Sequence, residues 1–319
     1  MAANDVSTGV RLVRVPEDRD GQRLDNFLLL QLKGAPRSLV YKLVRSGQVR
    51  INGKRAKADS RLSGGDEVRI PPVKLNEPGE QRPPPKGLLD RLAASILFED
   101  KAILAVNKPS GLATHGGSGI SHGLIESLRA LRPGEPLELV HRLDRDTSGV
   151  IIIAKKRSAL LELQALMRAG EDDEGPAKRY LALLVGRVPN GTLTVDAPLQ
   201  KSVLQGGERS VRVDPSGKPS VSHFKVLERR GGHSFCEVRI ETGRTHQIRV
   251  HAAHLGHPVA GDDKYGDPEA NKRLAQQAGL KRLFLHAASI EFTLDQGKTP
   301  YLINAPLGDE LKAVLDRLG

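Results

Sequence analysis

The stretch HRLDRDTSGVIIIA, residues 141–154, sets two arginines, two aspartates and a histidine into nine residues and then turns apolar. The run Val150–Ala154 reads as a buried strand. The charged segment is then a loop delivered by a rigid sheet, a common way for a fold to present reactive groups. Asp144 stands between Arg142 and Arg145. One reading is a structural turn in which Asp144 and Asp146 satisfy the two arginines. The other is a carboxylate kept charged by its guanidinium neighbours and able to act as nucleophile or general base.

The segments around this loop predict a mixed fold. SILFEDKAILAVNKPSG, from Ser95, reads as two strands about a Glu99–Lys101 turn. KRYLALLVG, TLTVDAPL, VSHFKVLER and SFCEVRIETG each read as strands. SALLELQALMRAG reads as an amphipathic helix, with Ser158 as its cap and Gly170 past its end. THQIRVHAAHLGHP reads as a helix capped by Thr245 and closed by Gly256. Strands outnumber helices and their links are hairpin-length. The expectation is α+β with a largely antiparallel sheet.

Nearer the N-terminus, residues 1–10 read as a loose tail. RLDNFLLLQL predicts a helix from Leu24, and Ser38 can cap a second. VRINGKRAK predicts a strand, an Asn52-Gly53 turn and another strand. NEPGEQRPPPKG, Asn76–Gly87, has a linker's composition. The expected organisation is a small domain over 11–75, a linker over 76–87 and a large domain over 88–319.

The chain has 319 residues and a net charge of +11. Residues 1–86 hold 17 basic and 10 acidic residues, so about a quarter of the chain carries most of the excess. From Lys33 to Lys57 there are eight basic residues and no acidic one. That stretch predicts a phosphate-binding surface, through Lys33, Arg37, Lys42, Arg45, Arg50, Lys54 and Arg55. One cysteine, Cys236, excludes an internal disulfide framework and a thiolate metal cluster. No apolar run has spanning length and MAANDVSTGV lacks the pattern of an export signal, so a cytoplasmic protein is expected.

Two further stretches carry candidate chemistry. TGRTHQIRVH, Thr242–His251, offers Arg244 and Arg249 at a strand-to-helix junction, where one could pair a buried carboxylate and the other bind phosphate. His246, His251, His254 and His257 lack the i, i+4 spacing of a helical metal site, so no metal is expected. HGGSG, His115–Gly119, lacks the ending of a nucleotide-binding loop and reads as a turn. Tyr180 reads as a core aromatic or as a base-stacking platform.

These segments, in this order, resemble the RluA family of RNA pseudouridine synthases. HRLDRDTSG resembles its catalytic motif, and KRYLALLVG its tyrosine strand. TGRTHQIRVHAAHLGHPVAGDDKYG resembles its arginine motif, and RLFLHAASIEF its late leucine segment. The block Gly21–Pro72 resembles an S4 RNA-binding domain. The resemblance implies an isomerase that cleaves the uridine glycosidic bond, turns the uracil and rejoins it through C5. It implies Asp144 as the catalytic aspartate, Arg249 as its partner and Tyr180 against the base. It further implies Leu283 or Leu285 as an apolar wall, and Arg142, with His141 and Arg244, in base displacement or RNA contact. No cofactor is expected, because the uracil is neither oxidised nor lost. The expected partner is RNA, 23S rRNA ahead of tRNA, bound by a monomer. The rival reading is a non-catalytic RNA-binding or ribosome-assembly protein.

Overall fold

The computed structural model describes residues 9–32, 35, 37–73, 83–116, 122–169, 175–203, 209–295 and 297–319. The chain divides into two compact units, 1–82 and 83–319. The expected linker 76–87 lies outside the described residues up to 82. Its end is ordered, because a helix begins at Lys86 behind Pro85, which fills the N-cap position.

In the first unit the elements are β1 (Arg11–Arg14), α1 (Leu24–Gln31), α2 (Arg37–Arg45), β2 (Arg50–Ile51), β3 (Lys54–Arg55) and β4 (Glu67–Ile70). The strands pair antiparallel in the order β1-β4-β2-β3. Asn52 and Gly53 both take positive φ in the β2–β3 turn, as the Asn-Gly dipeptide predicts. Leu24, Phe27, Leu28, Val40, Leu43 and Val44 pack this sheet from α1 and α2. Ser38 lies inside α2 rather than capping it.

In the second unit the elements are α3 (Lys86–Ala93), β5 (Ile96–Glu99), β6 (Ile103–Lys108), α4 (Leu124–Leu131), β7 (Glu138–Leu139), β8 (Ser148–Ala154), α5 (Arg157–Ala169), β9 (Ala177–Leu184), β10 (Thr192–Asp196), β11 (Leu199–Val203), β12 (Arg209–Val213), β13 (Val221–Arg230), β14 (His233–Ile240), α6 (Gln247–His254), α7 (Pro268–Ala278), β15 (Leu285–Leu294), β16 (Thr299–Asn304) and α8 (Asp309–Arg317). Among the described residues the main sheet runs β10-β13-β14-β9-β15-β8-β6-β5, with β16 on β15 and β7 on β8. Every pairing is antiparallel except β8 with β15. The fold is α+β.

Among the described residues, two of the apolar cores on this sheet meet at β9. One gathers β6, β8, α4, α5 and β15, with Ile151, Ile152 and Ile153 fully buried. The other gathers β9, β13, β14 and α6. Tyr180 on β9 packs against both, so the seam between them runs past its ring. Where β8 meets β15, Gly149 takes φ 112°, and a Cβ there would lie 2.2 Å from the Ala287 carbonyl oxygen. Only glycine lets the strand behind Asp144 approach β15 this closely. Gly149→Ala is expected to lower stability by about 2–4 kcal/mol through overpacking and backbone strain. Thermal denaturation of the full chain checks this; an unchanged Tm would contradict it.

Candidate active site

The loop before β8 is held from below by the segment after β6. Lys108 is fully buried, and its ammonium donates to the carbonyls of Pro109, Leu112 and Arg145 at 2.8–3.0 Å. Burial pulls its pKa down to about 7, against the charges of Asp146 and Asp144. Three carbonyl acceptors match the three protons of the charged form. Ser110 donates to the Asp146 carbonyl at 2.7 Å, and Thr114 to that of Leu143 at 2.7 Å. Thr147 N–H donates to the carbonyl of Asp144 itself at 3.2 Å. The main-chain carbonyls from Leu143 to Asp146 are thus all engaged, and the loop that carries the carboxylate is set before any ligand arrives.

The flanking arginines do not pair with it. Arg145 pairs with Asp146 at 3.0 Å in an exposed contact. Arg142 is exposed and makes no hydrogen bond or ion pair among the described residues. Asp144 faces α6 instead. Its Oδ2 lies 3.8 Å from His246 Nε2 and 4.0 Å from Arg249 Nη1. These separations exceed hydrogen-bond length and leave the carboxylate oxygens open to a ligand.

Arg249 stands beside Asp144, where the resemblance put it, and is shared with a second carboxylate. Its guanidinium makes a two-pronged bond to Asp262, 2.7 Å on each prong. Burial disfavours the charge on both groups. Their mutual bonds outweigh it, holding the Asp262 carboxyl below and the Arg249 guanidinium above their ordinary values. Asp262 sits on a turn where Gly261 takes φ 73° and a Cβ would strike the Arg282 carbonyl at 2.2 Å. The Tyr265 ring lies 5.1 Å from the Arg249 guanidinium carbon, and its hydroxyl shares a 2.7 Å hydrogen bond with His246 Nδ1. His246 holds a left-handed backbone, φ 55°, just before α6. Burial keeps its imidazole below the usual histidine range, against the pull of Asp144.

The cap at this helix differs from expectation. Thr245 does not cap α6. The buried Gln247 organises the junction, accepting from Arg244 N–H at 3.0 Å and Thr242 Oγ1 at 2.8 Å while donating to the Val221 carbonyl at 2.8 Å. Ser158 likewise lies inside α5, which starts at Arg157. Gly170 lies outside the described residues.

Two cavities meet at Asp144. The smaller, ≈ 100 Å³, is lined by Arg142, Asp144, Tyr180, Arg244, Arg249 and Leu285, among others. The larger, ≈ 610 Å³, shares Arg142, Asp144 and Arg249 and adds His115, Asp262 and Leu283. Leu285 therefore shares the slot with Tyr180, and Leu283 lies next door. Burial, then the Asp144 charge, push the Tyr180 pKa up, so its hydroxyl stays neutral. His141 does not face this space as a free group. Its Nε2 accepts from Ile152 N–H at 3.0 Å, and burial pulls its pKa to about 3. It ties the loop to β8. His251 is equally engaged, with Ser222 Oγ and the Ala197 carbonyl at 2.9 Å each. Among the described residues no group of three His, Cys, Asp or Glu could hold a metal.

In the first unit Lys42, Arg45, Lys54 and Arg55 are exposed. Arg50 is exposed too, but its guanidinium turns back to the carbonyls of Gly47 and Gly53. Lys33 lies outside the described residues, as does the side chain of Arg37. No helix among the described residues is long and apolar enough to cross a membrane.

Residues 102–254 match the RNA pseudouridylate synthase family and residues 22–68 the S4 domain. The chain is 51% identical over 314 residues, 97% of each chain, to the ribosomal large subunit pseudouridine synthase C of Salmonella typhi and to that of Escherichia coli K12. The chain belongs to the RNA pseudouridylate synthase family. It is an RNA pseudouridine synthase, an isomerase, with an S4 domain. The synthase fold is similar to that of human RNA pseudouridylate synthase domain containing 4, with a TM-score of 0.60, 26% identity, and 73% of this chain and 95% of that one covered. Asp262, Tyr265 and His246 are the parts of this synthase site that sequence reasoning left without a role. GDDKYG closes the arginine motif, and its acidic pair was the available signal for Arg249's partner.

Proposed function

We propose that this synthase isomerises uridine in large-subunit ribosomal RNA, with Asp144 as the catalytic group. The observation that carries the proposal is a carboxylate on a loop whose main-chain carbonyls are all engaged, open toward a slot bounded by Tyr180 and Leu285. Breaking the glycosidic bond builds positive character on the sugar carbon, which a carboxylate stabilises or traps. Tyr180 offers its ring face to the uracil while the base turns, and Leu285 supplies the apolar wall. Arg249, held by Asp262, adds a fixed positive charge beside the reacting oxygens. Arg142, unpaired and exposed, fills the stack when the uridine leaves it.

The S4 unit supplies a second grip through its exposed lysines and arginines, which raises the local concentration of substrate. The substrate assignment rests on the relatives' identity over nearly the whole chain. Pseudouridine mapping of 23S rRNA and tRNA from cells lacking this gene tests it. The expected result is loss of pseudouridine at 23S sites, restored by the wild-type gene. Loss confined to tRNA would overturn it.

A further inference from the structure

A third cavity lies beside the Asp144 slot and has no part in the roles above. Its volume is ≈ 460 Å³, and its lining includes Lys201, Ser216, Lys218, Arg244 and Thr245, with no acidic residue. It is built by the β11–β12 hairpin, the turn at Asp214–Gly217 and the strand-to-helix junction before α6. Lys201 and Lys218 are exposed, and neither side chain is engaged in a bond or ion pair among the described residues. The nearest acid on this turn, Asp214, is neutralised by Arg212 at 2.9 Å. Arg244 donates through Nε to the Pro219 carbonyl at 3.1 Å, which fixes its guanidinium on the cleft wall. Gly243, Arg244 and Thr245 line this cleft and the Asp144 slot alike, so the two spaces share a wall.

We infer that this cleft binds the phosphodiester backbone of the unpaired RNA strand next to the target uridine. The inference rests on the synthase acting on RNA as proposed above. A uridine whose base enters the slot leaves its sugar-phosphate at the mouth, and the adjoining linkage continues along the wall that Arg244 forms. Three cations with no acid among them suit phosphate oxygens, and contacts to phosphate carry no sequence information. The cleft therefore sets strand direction and register at the slot, separately from the grip of the S4 unit.

The test uses the full chain and a hairpin RNA carrying a mapped target uridine in its loop. Lys201→Ala/Lys218→Ala is compared with wild type and with Lys201→Arg/Lys218→Arg, after all three give matching thermal transitions. The alanine pair should raise Kd about five- to tenfold and flatten the slope of log Kd against log salt by about 1.4, two lost single-strand phosphate contacts. The arginine pair should match wild type. A neutral methylphosphonate at each flanking linkage in turn should weaken wild-type binding at two positions, and the two together should bring wild type to the alanine pair's affinity. If wild type makes no pseudouridine in this RNA, the substrate reading fails. If wild type modifies it and the alanine pair binds with equal affinity and slope, the cleft is not a phosphate site.

Discussion

Asp144→Asn is expected to bind RNA like the wild type and to lose pseudouridine formation by at least about 10³-fold. The asparagine keeps the shape of the side chain and removes its charge. Stability should hardly move, because the charged neighbours of Asp144 stand at 3.8 and 4.0 Å and the loop is held by main-chain bonds instead. Single-turnover assays with RNA in excess of Kd, together with thermal denaturation, read both halves. A variant that turns over RNA at the wild-type rate would remove Asp144 from the chemistry. A variant that unfolds would show that the carboxylate is structural, which the geometry opposes.

Asp262→Asn should behave in the opposite proportion. Here a buried pair is broken, and the Arg249 guanidinium, only 7% exposed, keeps its charge without its partner. The expected cost is about 3–5 kcal/mol of stability. Activity should fall about 100-fold as well, because Arg249 then relaxes onto Asp144 and closes the space a ligand needs. The Asp262 carboxyl lies below its unfolded value of 3.8, so its contribution is present above that pH and is lost as pH falls through the folded value. Wild type should therefore lose stability below about pH 4 more steeply than Asp262→Asn. Parallel acid denaturation curves for the two proteins would contradict the pairing.

The fold was legible where one periodicity dominated. Val150–Ala154, the Asn52-Gly53 turn and the alternating strands after Ala177 each announced their structure locally. Four of the candidate residues also prove to be neighbours, since Asp144, Tyr180, Arg249 and Leu285 line one slot. What stayed hidden was pairing. Asp144 stands between two arginines in sequence and uses neither, while Arg249 finds its carboxylate thirteen residues on, across a glycine turn. His246 looked like one of a histidine cluster, and only the tertiary fold sets it between Tyr265 and Asp144. The β11–β12 hairpin was missed because Leu199–Val203 and Arg209–Val213 are short and largely polar, with weak alternation.

The Lys108 ammonium has a consequence for how such a site diversifies. Its three acceptors are main-chain oxygens, which are present whatever side chains stand at 109, 112 and 145. The course of the loop is thereby uncoupled from the identity of its surface residues. Position 145 can change character while its neighbour 144 keeps the same bearing, so RNA preference can drift over generations without re-aiming the carboxylate.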